Sequence, residues 1–449
     1  MASEIKIPRR AARFGEIAQN VIVQLAYPVV SDLIDRSRKQ LSFDDQVQLQ
    51  IELAKHALEA RDLDRTLRDA LDNAHDRRRD ALGADDRDAI ATAARSIDVI
   101  NLDLEANKRR RYALRVVQDG IIWRTLGYDR LTIGTLGHGD PVNYLSNDFD
   151  AEAEQAEIHW NEGRLALFGD LSNIMRTGDL LVRDPSNGKV MLHEVKAGRS
   201  RNLSQQQRIQ EKIDYLNTGR STALADDAPV HAPVSSPRLR TYLANAVPLF
   251  RRAREHGFDC GQLGPGVAAF MSDGRGLGDA DLPEHERRII SGETRLMTRL
   301  AWNPLETYTY NSLERIDRDR TNAWATTAPY SIFPLDAETC AALCLGWAGY
   351  RTTINLAIFK AAIERRGFQV AVDVDKSGRV DLRDALFWVG RPDGRLRVPP
   401  RLADQILIEF VTPAALADNV QASFDQLMST DGDKLHISVR WADEGRIWS

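Results

Sequence analysis

The stretch 178–198 brings together residue types that bind divalent cations and phosphate. Asp179 precedes an apolar run, a turn rich in Pro, Asn and Gly follows, and a second apolar run leads into Glu194 and Lys196. Residues two apart on a strand share a face, so Glu194 and Lys196 are expected to point the same way. A hairpin would bring Asp179 towards the same end. Charged groups among apolar strands are costly unless they are paired or bind a metal, and oxygen ligands suit Mg²⁺.

The stretch therefore predicts a β-hairpin with a Mg²⁺ (or Mn²⁺) site at its end. The alternative is an exposed hairpin with an ordinary Glu–Lys pair on its surface. His193 falls on the face opposite Glu194, where a packed histidine is expected rather than a metal ligand.

The elements on either side of the hairpin would have to position these charges. Residues 112–126 are rich in Leu, Val and Ile and predict a helix that ends at Gly127. Residues 134–160 contain Gly, Pro and an acidic run at 148–157, and they predict a loop-rich insertion. After the hairpin, residues 204–217 predict a polar helix that carries several glutamines.

The order helix, Gly178-Asp179, hairpin, Glu194-Val195-Lys196 and glutamine-bearing helix resembles the signature of the PD-(D/E)xK nuclease superfamily. The similarity covers roughly residues 111–217. It implies a restriction-endonuclease-like core, in which helices flank a mixed sheet. It also implies that Asp179, Glu194 and the backbone carbonyl of Val195 bind the metal.

The remaining catalytic roles are also implied by the resemblance. The metal would lower the pKa of bound water and so produce a hydroxide nucleophile. Lys196 would orient the water and offset charge that develops on the phosphate. Gln206, or its neighbour Gln205, would hold the water or a phosphate oxygen.

The chain departs from the family pattern in two respects. About fifty residues separate Gly127 from Asp179, which is a longer insertion than in simple members. Many members carry a glutamate on the helix before the sheet, but residues 116–120 contain none, so Gln118 and Asp119 are the candidates to replace it. Asp170 is a rival for the first metal-binding carboxylate.

Basic residues follow the active strand directly, as a polyanionic substrate requires. The predicted nucleic-acid contacts are Arg199, Arg201, Arg208 and Lys212. The alternative is a solvated helix face.

The whole chain has 449 residues and a net charge of −5, so a generally polybasic nucleic-acid binder is not expected, although a local basic groove is compatible with it. Its three cysteines are too few for a disulfide framework and favour a reducing, cytoplasmic location. No apolar run reaches the roughly 18 residues of a membrane span, so no membrane association is expected.

Three segments are predicted in an α/β protein. Residues 1–110 predict a long helical hairpin or arm, because apolar residues recur at three- and four-residue steps on either side of a break near Gly83. Residues 111–333 hold the nuclease-like domain with its insertions. Residues 334–449 predict a smaller α/β domain, with a strand at 405–411 and a helix at 413–428.

A weaker pattern lies at Asp373–Asp384, where oxygen-bearing residues follow the spacing of an EF-hand calcium loop. The preceding residues alternate like a strand rather than an entering helix, and an ordinary hairpin turn explains the same residues.

Together these features predict a cytoplasmic, metal-dependent endonuclease that hydrolyses DNA phosphodiester bonds. By analogy alone, such architectures resemble effectors of bacterial defence or restriction. The alternatives are an RNA-directed nuclease, an inactive nuclease-fold protein that binds or scaffolds, and an assembly protein dominated by its helical arm. A homo-oligomer through the N-terminal hairpin and a protein partner for the C-terminal domain are also expected.

Overall fold

A computed structural model describes most of the chain. The described residues are 17, 19–128, 133, 136, 149–175, 178–195, 203–218, 220–221, 230–231, 240–275, 282–312, 327–373, 386–392, 394–398 and 401–429. Within them the fold combines a long helical hairpin with several small antiparallel sheets and further helices. The coarse α/β prediction is thus confirmed.

Three helices open the described chain: α1 (Val21–Arg38), α2 (Phe43–Gly83) and α3 (Arg87–Thr125). The Ser42 hydroxyl caps α2 by accepting a hydrogen bond from the Asp45 N–H at 3.2 Å, and Asp86 caps α3 by accepting one from the Ala89 N–H at 3.0 Å. Side-chain oxygens at these positions satisfy backbone donors that have no partner inside the helix.

The helices α2 and α3 form the predicted antiparallel hairpin. The separate helix predicted at 112–126 is instead the last part of α3, because no glycine or proline interrupts the chain between Arg87 and Asp119.

The predicted Asp179–Glu194 hairpin belongs to a three-stranded antiparallel sheet. Helix α4 (Phe149–Asn161) precedes it, and the strands are β1 (Leu165–Phe168), β2 (Leu180–Arg183) and β3 (Val190–His193), in the order β1-β2-β3. Leu180 lies opposite Phe168 on one side and opposite His193 on the other. The hairpin prediction is confirmed.

The prediction of a loop-rich stretch is wrong for residues 149–160, which are helical. Alanines and other good helix formers recur there, and the carboxylates of the first turn interact favourably with the helix dipole. Helix α5 (Leu203–Thr218) follows β3 and packs on it, in agreement with the predicted glutamine-bearing helix.

The described helices and strands of the second half are β4 (Arg220–Ser221), β5 (Val230–His231), α6 (Leu243–His256), β6 (Phe258–Gly264), β7 (Val267–Asp273), α7 (Leu282–Leu300), β8 (Thr307–Asn311), α8 (Ala337–Leu345), β9 (Ala348–Asn355), α9 (Leu356–Glu364), β10 (Gln369–Ala371), β11 (Phe387–Arg391), β12 (Gly394–Val398), α10 (Arg401–Glu409) and α11 (Pro413–Ser429). Four of the strands form an antiparallel sheet with the order β6-β7-β9-β8.

Two predictions about the strands disagree with the structure. The predicted strand at 405–411 is largely helix α10, which packs against β8 and β9. The second is the single mixed sheet of the expected nuclease-like core. The described strands instead form separate sheets, and all their pairings are antiparallel.

Apolar side chains from α1 to α11 share one continuous buried cluster. Helix α8, in the predicted C-terminal segment, packs against α1 and α3 of the predicted arm. Arg38 of α1 binds the chain just before α8, because its guanidinium donates to the backbone carbonyls of Ser331, Phe333 and Leu335. Folding of the three segments as separate units stays a prediction.

The described residues bear on three further predictions. Within the described ranges, no helix combines the length and apolar composition needed to cross a bilayer. All three cysteines are free. Of the EF-hand-like pattern only Asp373 lies in the described chain, where it accepts a hydrogen bond from Trp388 Nε1 at 2.8 Å; the residues up to Asp384 lie outside it.

Candidate metal centre

Three carboxylates converge at the end of the β1-β2-β3 sheet. Glu152, Asp170 and Asp179 each offer one oxygen, and these oxygens all lie within 4.8 Å of one another. Glu152 and Asp170 are each only 1% exposed, and Asp179 is half-buried. We refer to these three residues as the carboxylate cluster.

Glu152 reaches the cluster because it lies on the buried face of α4. The buried residues of this helix are Phe149, Glu152, Ala156 and His159, which follow one another at three- and four-residue steps. Aromatic packing fixes the helix on the sheet, since the Phe149 and Phe168 ring centroids are 5.1 Å apart. The Glu152 carboxylate is therefore held by the packing of an entire helix.

Asp179 is held by backbone contacts on both sides. Its N–H donates to the His193 carbonyl, and its own carbonyl accepts from the Gly169 N–H, both at 2.7 Å. The carboxylate oxygen Oδ2 accepts from the Val195 N–H at 2.5 Å. Asp179 thus links the ends of β1 and β3.

Gly169 allows the end of β1 to lie close to the backbone of Gly178 and Asp179. A Cβ atom placed there would lie 2.7 Å from the Gly178 carbonyl oxygen, which is closer than van der Waals contact permits. A side chain at this position would therefore push the strand end that carries Asp179 away from β1.

Asp170 lies in the turn after β1, and a buried network braces that turn. The Asp119 carboxylate accepts from the Ser172 hydroxyl at 2.6 Å, from the Asn173 N–H at 2.9 Å and from the Asn173 side-chain amide at 2.8 Å. Burial raises the pKa of Asp119, and these hydrogen bonds oppose the rise. They supply the compensation that a buried carboxyl needs.

Gln118 extends the brace to the helical hairpin. Its side-chain amide donates to the Phe168 carbonyl at 2.9 Å and exchanges hydrogen bonds with Gln50 of α2. The two residues predicted to replace the family's helix glutamate, Gln118 and Asp119, therefore support the turn that carries Asp170 rather than joining the cluster.

The electrostatics of the cluster favour a cation. At an effective dielectric of about 20, two unit charges within 4.8 Å repel by roughly 3 kcal/mol or more, and three ionised carboxylates form three such pairs. Oxygens that share one Mg²⁺ at about 2.1 Å are about 3–4 Å apart, and the longer bonds to Ca²⁺ allow about 5 Å. The donor set and its spread therefore fit a hard divalent ion.

Two histidines pack behind this end of the sheet. The ring centroids of His159 on α4 and His193 on β3 are 4.6 Å apart in an edge-to-face arrangement, so the prediction of a packed His193 is confirmed. Burial lowers the pKa of His159 to about 4, and nearby His193 and Arg164 add to the effect. The pKa of His193 is lowered as well, by burial and then by Arg164.

The other predicted metal ligands lie close to the cluster along the chain. Glu194 and Val195 follow β3 directly, and both are half-buried. Val195 contacts the cluster through its N–H. Among the described residues, the group within 4.8 Å includes Asp179 but not Glu194.

Several predicted site residues lie outside the described chain or outside its described side chains. Lys196, Arg199 and Arg201 lie outside the described residues. Gln206 and Arg208 are on α5, but their side chains, like that of Gln205, lie outside the description. Lys212, also on α5, is only 4% exposed, and its phosphate contact stays a prediction.

Sequence reasoning missed Glu152, although a signal was present. Phe149, Ala156 and His159 outline an inward face with helical spacing, and Glu152 occupies the same face. A glutamate at a core position of a helix indicates a site rather than a solvated surface. Asp170, the predicted rival of Asp179, lies in the same cluster with it.

Comparisons with known proteins add no further assignment. No protein-family model, no curated protein and no solved structure matches this chain.

Proposed function

We propose that this protein is a divalent-metal-dependent phosphodiesterase that cleaves DNA, with a restriction-endonuclease-like core around β1, β2 and β3. The carboxylate cluster carries the proposal. It consists of three carboxylates within 4.8 Å, two of them buried, at the end of a β-hairpin.

The order of elements around the cluster gives further support. Glu152 comes from a helix that directly precedes the sheet, Asp170 and Asp179 come from the strand ends, and Glu194 and Lys196 follow the next strand. The sequence signature lacked a helix glutamate. Glu152 would supply this glutamate from α4, which lies closer to the hairpin in sequence than residues 116–120 of α3.

The chain's own residues have distinct parts in the proposed reaction. Glu152, Asp170 and Asp179 would hold the ion, and Val195 would fix the Asp179 carboxylate through its N–H. The bound ion would offset phosphate charge and acidify water. Lys196 would orient that water, and Gln206 would hold it or a phosphate oxygen; both roles rest on the resemblance alone.

A nuclease-fold protein that binds without cleaving is the second candidate. The observation that favours it is the position of Glu194, which is not among the described carboxylates that converge within 4.8 Å. If Glu194 takes no part in catalysis, the signature that suggested a nuclease loses one of its residues.

The decisive experiment is a cleavage assay with plasmid, linear duplex, single-stranded DNA and RNA. Each substrate is incubated with Mg²⁺, Mn²⁺, Ca²⁺ or a chelator. We expect DNA cleavage with Mg²⁺ or Mn²⁺ that is lost in Asp170→Asn, Asp179→Asn and Glu194→Gln. The matched control is Glu154→Gln, which removes a charge from the exposed face of α4.

The outcomes separate the candidates. Loss of cleavage in Asp170→Asn and Asp179→Asn with retention in Glu154→Gln supports a metal-dependent nuclease. RNA cleavage without DNA cleavage assigns the same site to RNA. Metal binding without cleavage of any substrate supports the non-catalytic candidate, and full cleavage by both Asp variants refutes the site.

A further inference from the structure

Helix α7 covers the face of the four-stranded sheet opposite the main core. Its inner residues, Leu296 and Met297, pack against Phe270 of β7 and Phe258 of β6. At Gly292 the contact is so close that a Cβ atom would lie 2.4 Å from the Phe258 ring. The helix is thus fixed on the sheet, and its outer face has one defined orientation.

Three arginines form a row on the exposed side of α7. Arg288, Arg295 and Arg299 are all exposed. At 100° per residue they fall within an arc of about 40°, and at 1.5 Å per residue they span about 16 Å along the helix axis. We refer to these three residues as the arginine row.

The arginine row is not neutralised by carboxylates of the described chain. None of its three members forms an ion pair with a described residue, whereas neighbouring acidic residues are already paired. Glu284 pairs with Arg287 at 2.9 Å, and Glu293 pairs with Arg351 at 2.5 Å. Three exposed arginines on a helix that is packed on the sheet therefore offer positive charge in a chain whose net charge is −5.

We propose that the arginine row binds the phosphate backbone of duplex DNA. Guanidinium groups match phosphate oxygens in geometry and charge. The phosphates of one strand rise about 3.4 Å per nucleotide along the duplex axis while they wind around it, so a straight row of about 16 Å can reach a few neighbouring phosphates.

The exposed residues of α7 favour a duplex over a single strand. Single-strand surfaces carry aromatic side chains on which bases stack. The other exposed residues described on α7 are Glu284, Arg287, Ile290, Ser291, Thr294 and Thr298, and none is aromatic. Backbone charge is therefore the feature of DNA that this surface can recognise.

The inference rests on the proposed function for its choice of DNA, but it is tested without cleavage. Fluorescence anisotropy of a labelled 30-base-pair duplex is measured in EDTA between 50 and 200 mM salt. The test variant is R288Q/R295Q/R299Q. The charge-matched control is R65Q/R68Q/R79Q, in which each arginine normally pairs with an aspartate of α2.

The expected effect follows from counterion release. Each phosphate contact contributes about −0.9 to the slope of log affinity against log salt, so loss of three contacts lowers its magnitude by about 2.7. We expect R288Q/R295Q/R299Q to bind at least tenfold more weakly at 50 mM salt. R288K/R295K/R299K keeps the three charges and should retain the wild-type salt slope, and the control should bind like the wild type.

Several results would overturn the inference. They are an unchanged affinity and salt slope in R288Q/R295Q/R299Q, an equal loss in the control, or tighter binding of a single strand than of the duplex. Failure of the proposed function gives a different pattern. In that case no metal condition supports cleavage, while duplex binding still depends on the arginine row.

Discussion

Replacing Glu152 with glutamine changes the charge of the carboxylate cluster while keeping the shape of the side chain. The wild-type cluster contains three carboxylate pairs, each repelling by roughly 3 kcal/mol or more at an effective dielectric of about 20. A divalent cation offsets this repulsion. Glu152→Gln removes two of the three pairs, and with them one of the charged ligands that attract the cation.

The expected loss of cation affinity can be expressed as a difference in the stability of the folded state. A ligand present at about 100 times its Kd stabilises the folded state by about 2.7 kcal/mol. If the substitution raises the Kd about 100-fold, the same Mn²⁺ concentration stabilises the variant by only about 0.4 kcal/mol. Most of the Mn²⁺-dependent rise in Tm should therefore disappear.

Calorimetric unfolding in EDTA and in Mn²⁺ measures this directly, and titration calorimetry gives the Kd. Each variant is compared with its own EDTA baseline, so that other effects of the substitution cancel. Glu154→Gln serves as the control because it removes the same charge from the exposed side of the same helix. An equal Mn²⁺ shift in wild type and Glu152→Gln would refute the cation site.

Three further predictions concern buried residues that are not themselves in the carboxylate cluster. Burial lowers the pKa of His159 to about 4, so the unfolded state binds the proton more readily and stability should fall by about 2 kcal/mol between pH 7.5 and pH 5. Denaturant unfolding at the two pH values measures this fall in stability. The fall should be smaller in His159→Gln but unchanged in His256→Gln, in which an exposed histidine is replaced. Asp119→Ala leaves the turn before β2 without its brace, and guanidinium unfolding should show a loss of roughly 3 kcal/mol together with weaker Mn²⁺ binding. Gly120→Ala places a Cβ atom 2.3 Å from a serine hydroxyl, so it should cost about 1–3 kcal/mol in the same assay, whereas Gly83→Ala, with open space around it, should not destabilise.

Local patterns in the sequence were sufficient for the elements that depend on near neighbours. The helical hairpin followed from apolar spacing, with side-chain caps at Ser42 and Asp86. The β2-β3 hairpin followed from two short apolar runs around a turn, in which Gly188 adopts a positive φ of 70°. In each case the interactions that decide the structure lie within a few residues.

Short apolar runs were ambiguous for the same reason. Residues 405–411 read equally well as a buried strand or as one side of a helix, and periodicity over so few residues does not separate them. The structure makes most of them helical, with Ile406, Leu407 and Ile408 buried beside β8 and β9. Packing against β8 and β9 therefore determines that these residues are helical.

The candidate site shows the same division. The sequence by itself determined that Asp179, Glu194 and Lys196 flank a hairpin, because their spacing and the turn are local. It did not determine which carboxylate of the acidic run 148–157 faces inward, or that Asp170 joins Asp179 rather than competes with it. Only the packing of α4 on β1, and the brace from Asp119, brings Glu152 and Asp170 to the strand ends. Those contacts join residues far apart in the chain, so only the tertiary structure could decide them.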